Sequence, residues 1–261
     1  MLPDIFIPDI TDLVIEDNEP VDNIQSAKQQ RLLVEPLYTS RPIDPPFLAD
    51  ANVGLFYAVE QSPLVPDAFL SVGVVTPDEW SKKENRSYFF WQFGKAPDVA
   101  IEIVSNRRGN ELGSKLHDYA RIGITYYAVF DPLRQVQSEM GEQLLQVFAL
   151  NQGRYVALEG NWLESIQLGL TLWQGEFEAC QGTWLRWTDR NGNVVPTGAE
   201  RAAQAEVEAR QAEAEARQAE ARQAEAEAEA RQAENRANEA EARSQILADR
   251  LRAMGIDPNA L

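Results

Sequence analysis

The stretch PDVAIEIVSNRRGNELGSKLHDYARIGITYYAVFDP, residues 97–132, decides the fold. Its opening alternates as a strand does. Asp98, Ala100, Glu102 and Val104 fall on one face, and Val99, Ile101 and Ile103 on the other. NELGSKLHDYARIG then reads as a helix, with Asn110 as N-cap, Leu112, Leu116, Tyr119 and Ala120 inward and Gly123 closing it. TYYAVFDP returns as a strand and stops at Pro132. Strand, helix, strand in this order is a βαβ-like unit, for which a parallel strand pair is the default.

Upstream, VDNIQSAKQQRLLVEPLYTS spaces Val21, Ile24, Leu32, Leu33 and Leu37 as a helix would, from about Val21 to Leu37, and RPIDPP breaks the chain after it. VGLFYAVE puts Val53, Leu55, Tyr57 and Val59 on one strand face. PDAFLSVGVV follows after a link short enough for a hairpin. Downstream, QLLQVFAL and RYVALE flank Asn151-Gln152-Gly153 as a second hairpin. LTLW and TWLRWTDRNGNVV add short strands, with a turn signal at Asn191-Gly192. Trp184 and Trp187 lie on opposite faces of the last strand, so packing explains them at least as well as base stacking does.

From Gly198 the composition changes to alanine, glutamate, arginine and glutamine. Positions 202, 205, 209, 212, 216, 219, 223, 226, 230, 233, 237, 240, 244, 247, 251 and 254 step by three and four without a break. They carry alanines, Gln223 and Ser244, then Leu247, Leu251 and Met254. That register suits a left-handed coiled coil, although alanine knobs bury little area. The alternative is a solvated single helix held by Glu/Arg pairs. Either way it spans on the order of 80 Å. The expected division is an extended acidic arm at 1–20, an α/β domain at 21–197, the coiled-coil helix at 198–256 and a tail at 257–261.

The net charge is −17, with 15 basic against 27 acidic residues before position 198. This opposes a duplex-binding surface, which usually has a basic footprint, and leaves room only for a local patch. The single Cys180 excludes an intrachain disulfide and a thiolate metal cluster, which suits a reducing compartment. No apolar run is long enough to span a membrane, and the N-terminus lacks the basic region of a signal peptide. The expectation is a cytoplasmic protein with no membrane partner.

Chemistry concentrates on Glu102. A carboxylate in the middle of an apolar strand is costly to bury without a cationic partner, either an Arg or Lys in an inert ion pair or a divalent metal. Asp67 opens a neighbouring strand, and Lys115 borders the buried face of the following helix. Two carboxylates and a lysine are what a metal-dependent phosphodiesterase needs: anionic oxygens for the ion, and a cation for the water and the transition-state charge. Asp98 and Asp131 read as turn residues, and Tyr119 as a core residue whose hydroxyl can reach the site. Arg107 and Arg108 read equally as a phosphate clamp or an exposed loop. His117, without a partner at ligand spacing, reads as structural.

The central run, with VPDAFLSVG and the helix after Glu19-Pro20, resembles the Uma-type family of restriction-endonuclease-like proteins of the PD-(D/E)XK nuclease superfamily, over roughly residues 15–190. The resemblance implies an α/β, restriction-endonuclease-like mixed sheet with flanking helices and antiparallel hairpins, followed here by the long C-terminal helix. It implies Asp67 and Glu102 as metal-holding carboxylates and Lys115 as the lysine. It also implies Mg²⁺ (or Mn²⁺) as cofactor and a nucleic acid, DNA before RNA, as substrate. Val104 stands where the superfamily's strand lysine would be, so Lys115 must reach in from the helix. A further acid, Glu19 or Asp22, is an open alternative. The competing reading keeps the fold without the catalysis, as an interaction scaffold whose coil, most simply, pairs copies of the chain.

Overall fold

The computed structural model describes residues 9–11, 14, 23–79, 81–105 and 110–255, and these form two compact units divided after Arg201. In chain order the elements are α1 (Ile24–Ser40), β1 (Phe47–Asp50), β2 (Leu55–Phe56), β3 (Ala68–Val72), β4 (Tyr88–Phe89), α2 (Phe90–Phe93), β5 (Val99–Ile103), α3 (Ser114–Ile122) and β6 (Tyr126–Phe130). There follow α4 (Gln137–Met140), β7 (Leu145–Asn151), β8 (Arg154–Ala157), β9 (Trp162–Leu163), β10 (Leu168–Phe177), β11 (Cys180–Thr188) and α5 (Gly198–Ala253).

Six strands make one mixed sheet in the order β1-β3-β5-β6-β7-β8. Its centre is the strand–helix–strand unit, with β5 and β6 parallel from Val99↔Tyr126 to Ile103↔Phe130. All five residues of each strand are buried, as a pair covered on both faces requires. The alternation separates two cores. Val99, Ile101 and Ile103 join Leu33 and Leu37 of α1 with Leu185 and Trp187 of the β9–β11 sheet. Ala100 and Val104 face the other way, among Tyr119, Tyr127 and Tyr88. Gly123 ends α3 at φ +86°, a left-handed conformation that glycine adopts at no steric cost.

Helix α1 buries Gln29, Leu32, Leu33, Pro36 and Leu37, a stripe at helical spacing. Asn23 caps it by accepting from the Ser26 N–H, so it starts later than expected and leaves Ile24 exposed. Gln29 docks the helix on β11, donating to the Leu185 carbonyl at 2.7 Å and accepting from its N–H at 2.9 Å.

Two local expectations are corrected. Residues 53–60 do not pair with 67–75 as a hairpin. Only Leu55 and Phe56 form a strand there, parallel to Tyr88–Phe89, while β3 pairs with β1, a strand that directly follows the RPIDPP break and was not expected. Pro63 and Pro66 in the link donate no N–H, which weakens the local pairing against the longer-range one. Asn110 is not the N-cap of α3. It sits at φ +52° in a turn and Gly113 takes the cap position, so the helix begins at Ser114. The packing reading of the two tryptophans holds, since each is 2% exposed. Trp187 donates to the Leu33 carbonyl and Trp184 to that of Gly175, and their burial leaves neither ring face for a base.

The first turn of α5 is fixed to the domain by charge. Thr197 and Glu200 form a capping box: the Thr197 hydroxyl accepts from the Glu200 N–H, and the Glu200 carboxylate accepts from the Thr197 N–H. Arg186, buried and lying over the Trp173 ring, donates two hydrogen bonds to that carboxylate. These donors hold the Glu200 carboxyl below its ordinary value. The stability it adds is therefore present above that ordinary value and is lost as pH falls through the lowered one. The carboxylate is partly open to water, so Glu200→Gln is expected to cost about 1–2 kcal/mol at pH 7 and to flatten the acid limb of the urea-midpoint profile.

The second unit, residues 202–261, is described through the rest of α5, which has no buried residue. Ile246, Leu247 and Met254 are exposed on it. No described helix is long and apolar enough to cross a membrane. The acidic arm at 1–20, apart from residues 9–11 and 14, lies outside the described residues, as do Glu19, Asp22, Arg107, Arg108 and the tail at 257–261.

Candidate functional site

The register between β3 and β5 places the two carboxylates together. Ala68 pairs with Ile101 and Phe69 with Ala100, antiparallel, so Asp67 stands opposite Glu102 on the face that carries Ala100 and Val104. Asp67 is held from two sides. It accepts from the Ile103 N–H at 2.6 Å and from Gln30 Nε2 at 3.2 Å, and Asn52 in turn donates to Gln30 at 3.0 Å. Helix α1 therefore contributes an amide, Gln30, to the surroundings of Asp67.

Glu102 is 2% exposed. Lys115 Nζ lies 2.9 Å from its Oε2, and the Tyr119 hydroxyl donates to its Oε1 at 2.7 Å. Lys115 and Tyr119 are one turn apart on α3, so one helix face supplies both donors. Burial pushes the Glu102 carboxyl up, and Lys115 and Tyr119 offset this only in part. For Lys115, burial pulls the ammonium down but the charge of Glu102, followed by Glu111 and Asp67, outweighs it and leaves the ammonium raised. Burial likewise drives the Tyr119 hydroxyl well above its ordinary range, so it stays a donor.

Asp67, Glu102 and Lys115 are thus brought together. Asp98 accepts from the Val72 N–H and from Lys95, and Asp131 accepts from the Gln135 and Val136 N–H groups, so both serve the backbone. His117 is exposed and bonds the Gly113 carbonyl. Sequence reading missed Gln30 and Glu111. The spacing of Gln30 beside Gln29 on the buried stripe could have shown the first. Nothing local marks Glu111, because the turn that buries it depends on the left-handed Asn110.

Glu111 is 5% exposed, and its Oε2 has no hydrogen-bond partner among the described residues. Among the described residues, the cluster so formed sets three formal carboxylate charges against one ammonium. That donor set fits a hard divalent cation, which prefers oxygen ligands. No three His, Cys, Asp or Glu side chains among the described residues form a ready ligand group. Asp67 and Glu102 are the side chains that could hold such an ion.

The mixed sheet, the antiparallel hairpins and the helices packed on it define a restriction-endonuclease-like domain. The chain belongs to the Uma2 family, whose model, described as "Putative restriction endonuclease", matches residues 13–178. No curated protein matches the chain.

Proposed function

We propose that the chain is a metal-dependent endonuclease that hydrolyses nucleic-acid phosphodiesters, in DNA rather than RNA, with Asp67 and Glu102 holding Mg²⁺, for which Mn²⁺ can substitute. The observation that carries this reading is the meeting of Asp67, Glu102 and the Lys115 ammonium at adjoining strands and helix in a nuclease-family domain. A bound dication would supply Lewis acidity toward the phosphate and toward water. Lys115 assists the attacking water and offsets charge on the scissile phosphate. Tyr119 orients Glu102 through its hydroxyl, and Gln30 orients Asp67.

The test is calorimetric titration of Mg²⁺ and Mn²⁺ into the wild type and Glu102→Ala, with cleavage of plasmid and single-stranded DNA and of RNA followed in parallel. Binding and cleavage by the wild type, both lost in Glu102→Ala, are expected. No metal binding, or equal cleavage by the variant, would sink the assignment and leave the scaffold reading, which the acidic charge favours.

Leu247 and Met254, exposed seam positions near the C-terminal end of α5, favour a second role for the tail, the pairing of copies of the chain through the seam of positions 202–254. Deletion of residues 202–261 spares Glu200 and is expected to lower the mass measured by light scattering to that of one chain. An unchanged mass removes the tail from assembly.

A further inference from the structure

Among the described residues, Glu111 is the one buried acid beside the site with an oxygen left unsatisfied. Its main-chain carbonyl accepts from the Tyr127 hydroxyl at 2.9 Å, which explains why the turn is held at the sheet but not why a carboxylate is there. Burying an ionised oxygen without a donor is costly, and a glutamine or leucine would fill the same space more cheaply. The negative charge of Glu111 is felt at both Glu102 and Lys115, so it belongs to the same electrostatic cluster. It does not form a direct ligand group with the two carboxylates. A hydrated dication offers what Oε2 lacks, since its waters are strong hydrogen-bond donors.

We propose that Glu111 is a positioning residue for the cation, accepting through Oε2 from the ion's hydration shell while Asp67 and Glu102 bind the ion itself. The inference rests on the metal reading above and adds a third acid, from the turn before α3 rather than from the N-terminal segment.

The test is Mn²⁺ affinity, measured by calorimetry on the full chain for the wild type, Glu111→Gln and Asp67→Asn, with melting temperature followed in EDTA. Partners in the outer shell of a metal site are worth about 10–100-fold in affinity. Glu111→Gln is therefore expected to weaken Mn²⁺ binding by about that factor, while Asp67→Asn loses it. In EDTA, Glu111→Gln should melt no lower than the wild type, because the substitution removes an unpaired buried charge; a merely structural role would lower the melting point and spare affinity. Unchanged affinity in Glu111→Gln together with loss in Asp67→Asn overturns the role of Glu111 and leaves the metal reading intact. Absence of binding by the wild type overturns both.

Discussion

Glu102→Gln is expected to lower the single-turnover rate of Mg²⁺-dependent cleavage by at least about a thousandfold, and Asp67→Asn by a similar factor. Removing one preorganised electrostatic group from an active site costs about 10²–10³ in rate, and a carboxylate that also holds the metal costs more. Lys115→Met keeps both carboxylates and should lose about 10²–10³. The glutamine variant is the informative one because it keeps the shape of Glu102. Its carbonyl oxygen can still accept from Tyr119, and the Lys115 side chain, one-third exposed, can turn its ammonium to water. The fold should survive, and a circular-dichroism melt close to that of the wild type would assign the lost rate to chemistry. Retention of more than a tenth of the wild-type rate in Glu102→Gln would end the claim that this carboxylate takes part.

How far the sequence foretold this arrangement varied with the range of the interactions involved. Residues 97–132 were legible because strand, helix and returning strand are set by contacts within one stretch, down to Gly123 as the left-handed stop. The face arithmetic that set Glu102 apart from Ile101 and Ile103 matches the division between the two cores. Residues 47–72 were not legible in the same way. A local hairpin looked natural there, yet β3 takes β1 and β5 as neighbours, and only that pairing sets Asp67 opposite Glu102. The two acids therefore came from the sequence as separate suspects, joined by a family resemblance, and the register supplied their meeting. Gln30 and Glu111 depend on tertiary docking of α1 and on a positive φ at Asn110, neither of which alternation or propensity records.

In metal-free buffer, Lys115→Met is expected to lower the unfolding free energy by about 2–4 kcal/mol. Breaking a buried ion pair from one side costs about 3–5 kcal/mol, because the remaining charge is stranded. Here the loss falls toward the lower end for two reasons. The ammonium already reaches water on one side, and the Glu102 carboxyl, already raised by burial, can take up a proton and cap the penalty. Restoring stability should then require removing the stranded carboxylate as well, but Lys115→Met with Glu102→Leu alone leaves the Tyr119 hydroxyl, 1% exposed, without its acceptor. Adding Tyr119→Phe completes an apolar replacement among Ala100, Val104 and Tyr127. This triple variant is expected to unfold in urea within about 1 kcal/mol of the wild type, or above it, as apolar replacements of buried pairs often do. A single variant as stable as the wild type would show that Lys115 does not neutralise Glu102 in solution. A triple variant as unstable as the single one would show that the polar trio holds the sheet and α3 together. A stable triple variant with no metal affinity would instead mark Glu102, Lys115 and Tyr119 as groups kept at a cost to the fold, which is the pattern expected of a site retained for its chemistry.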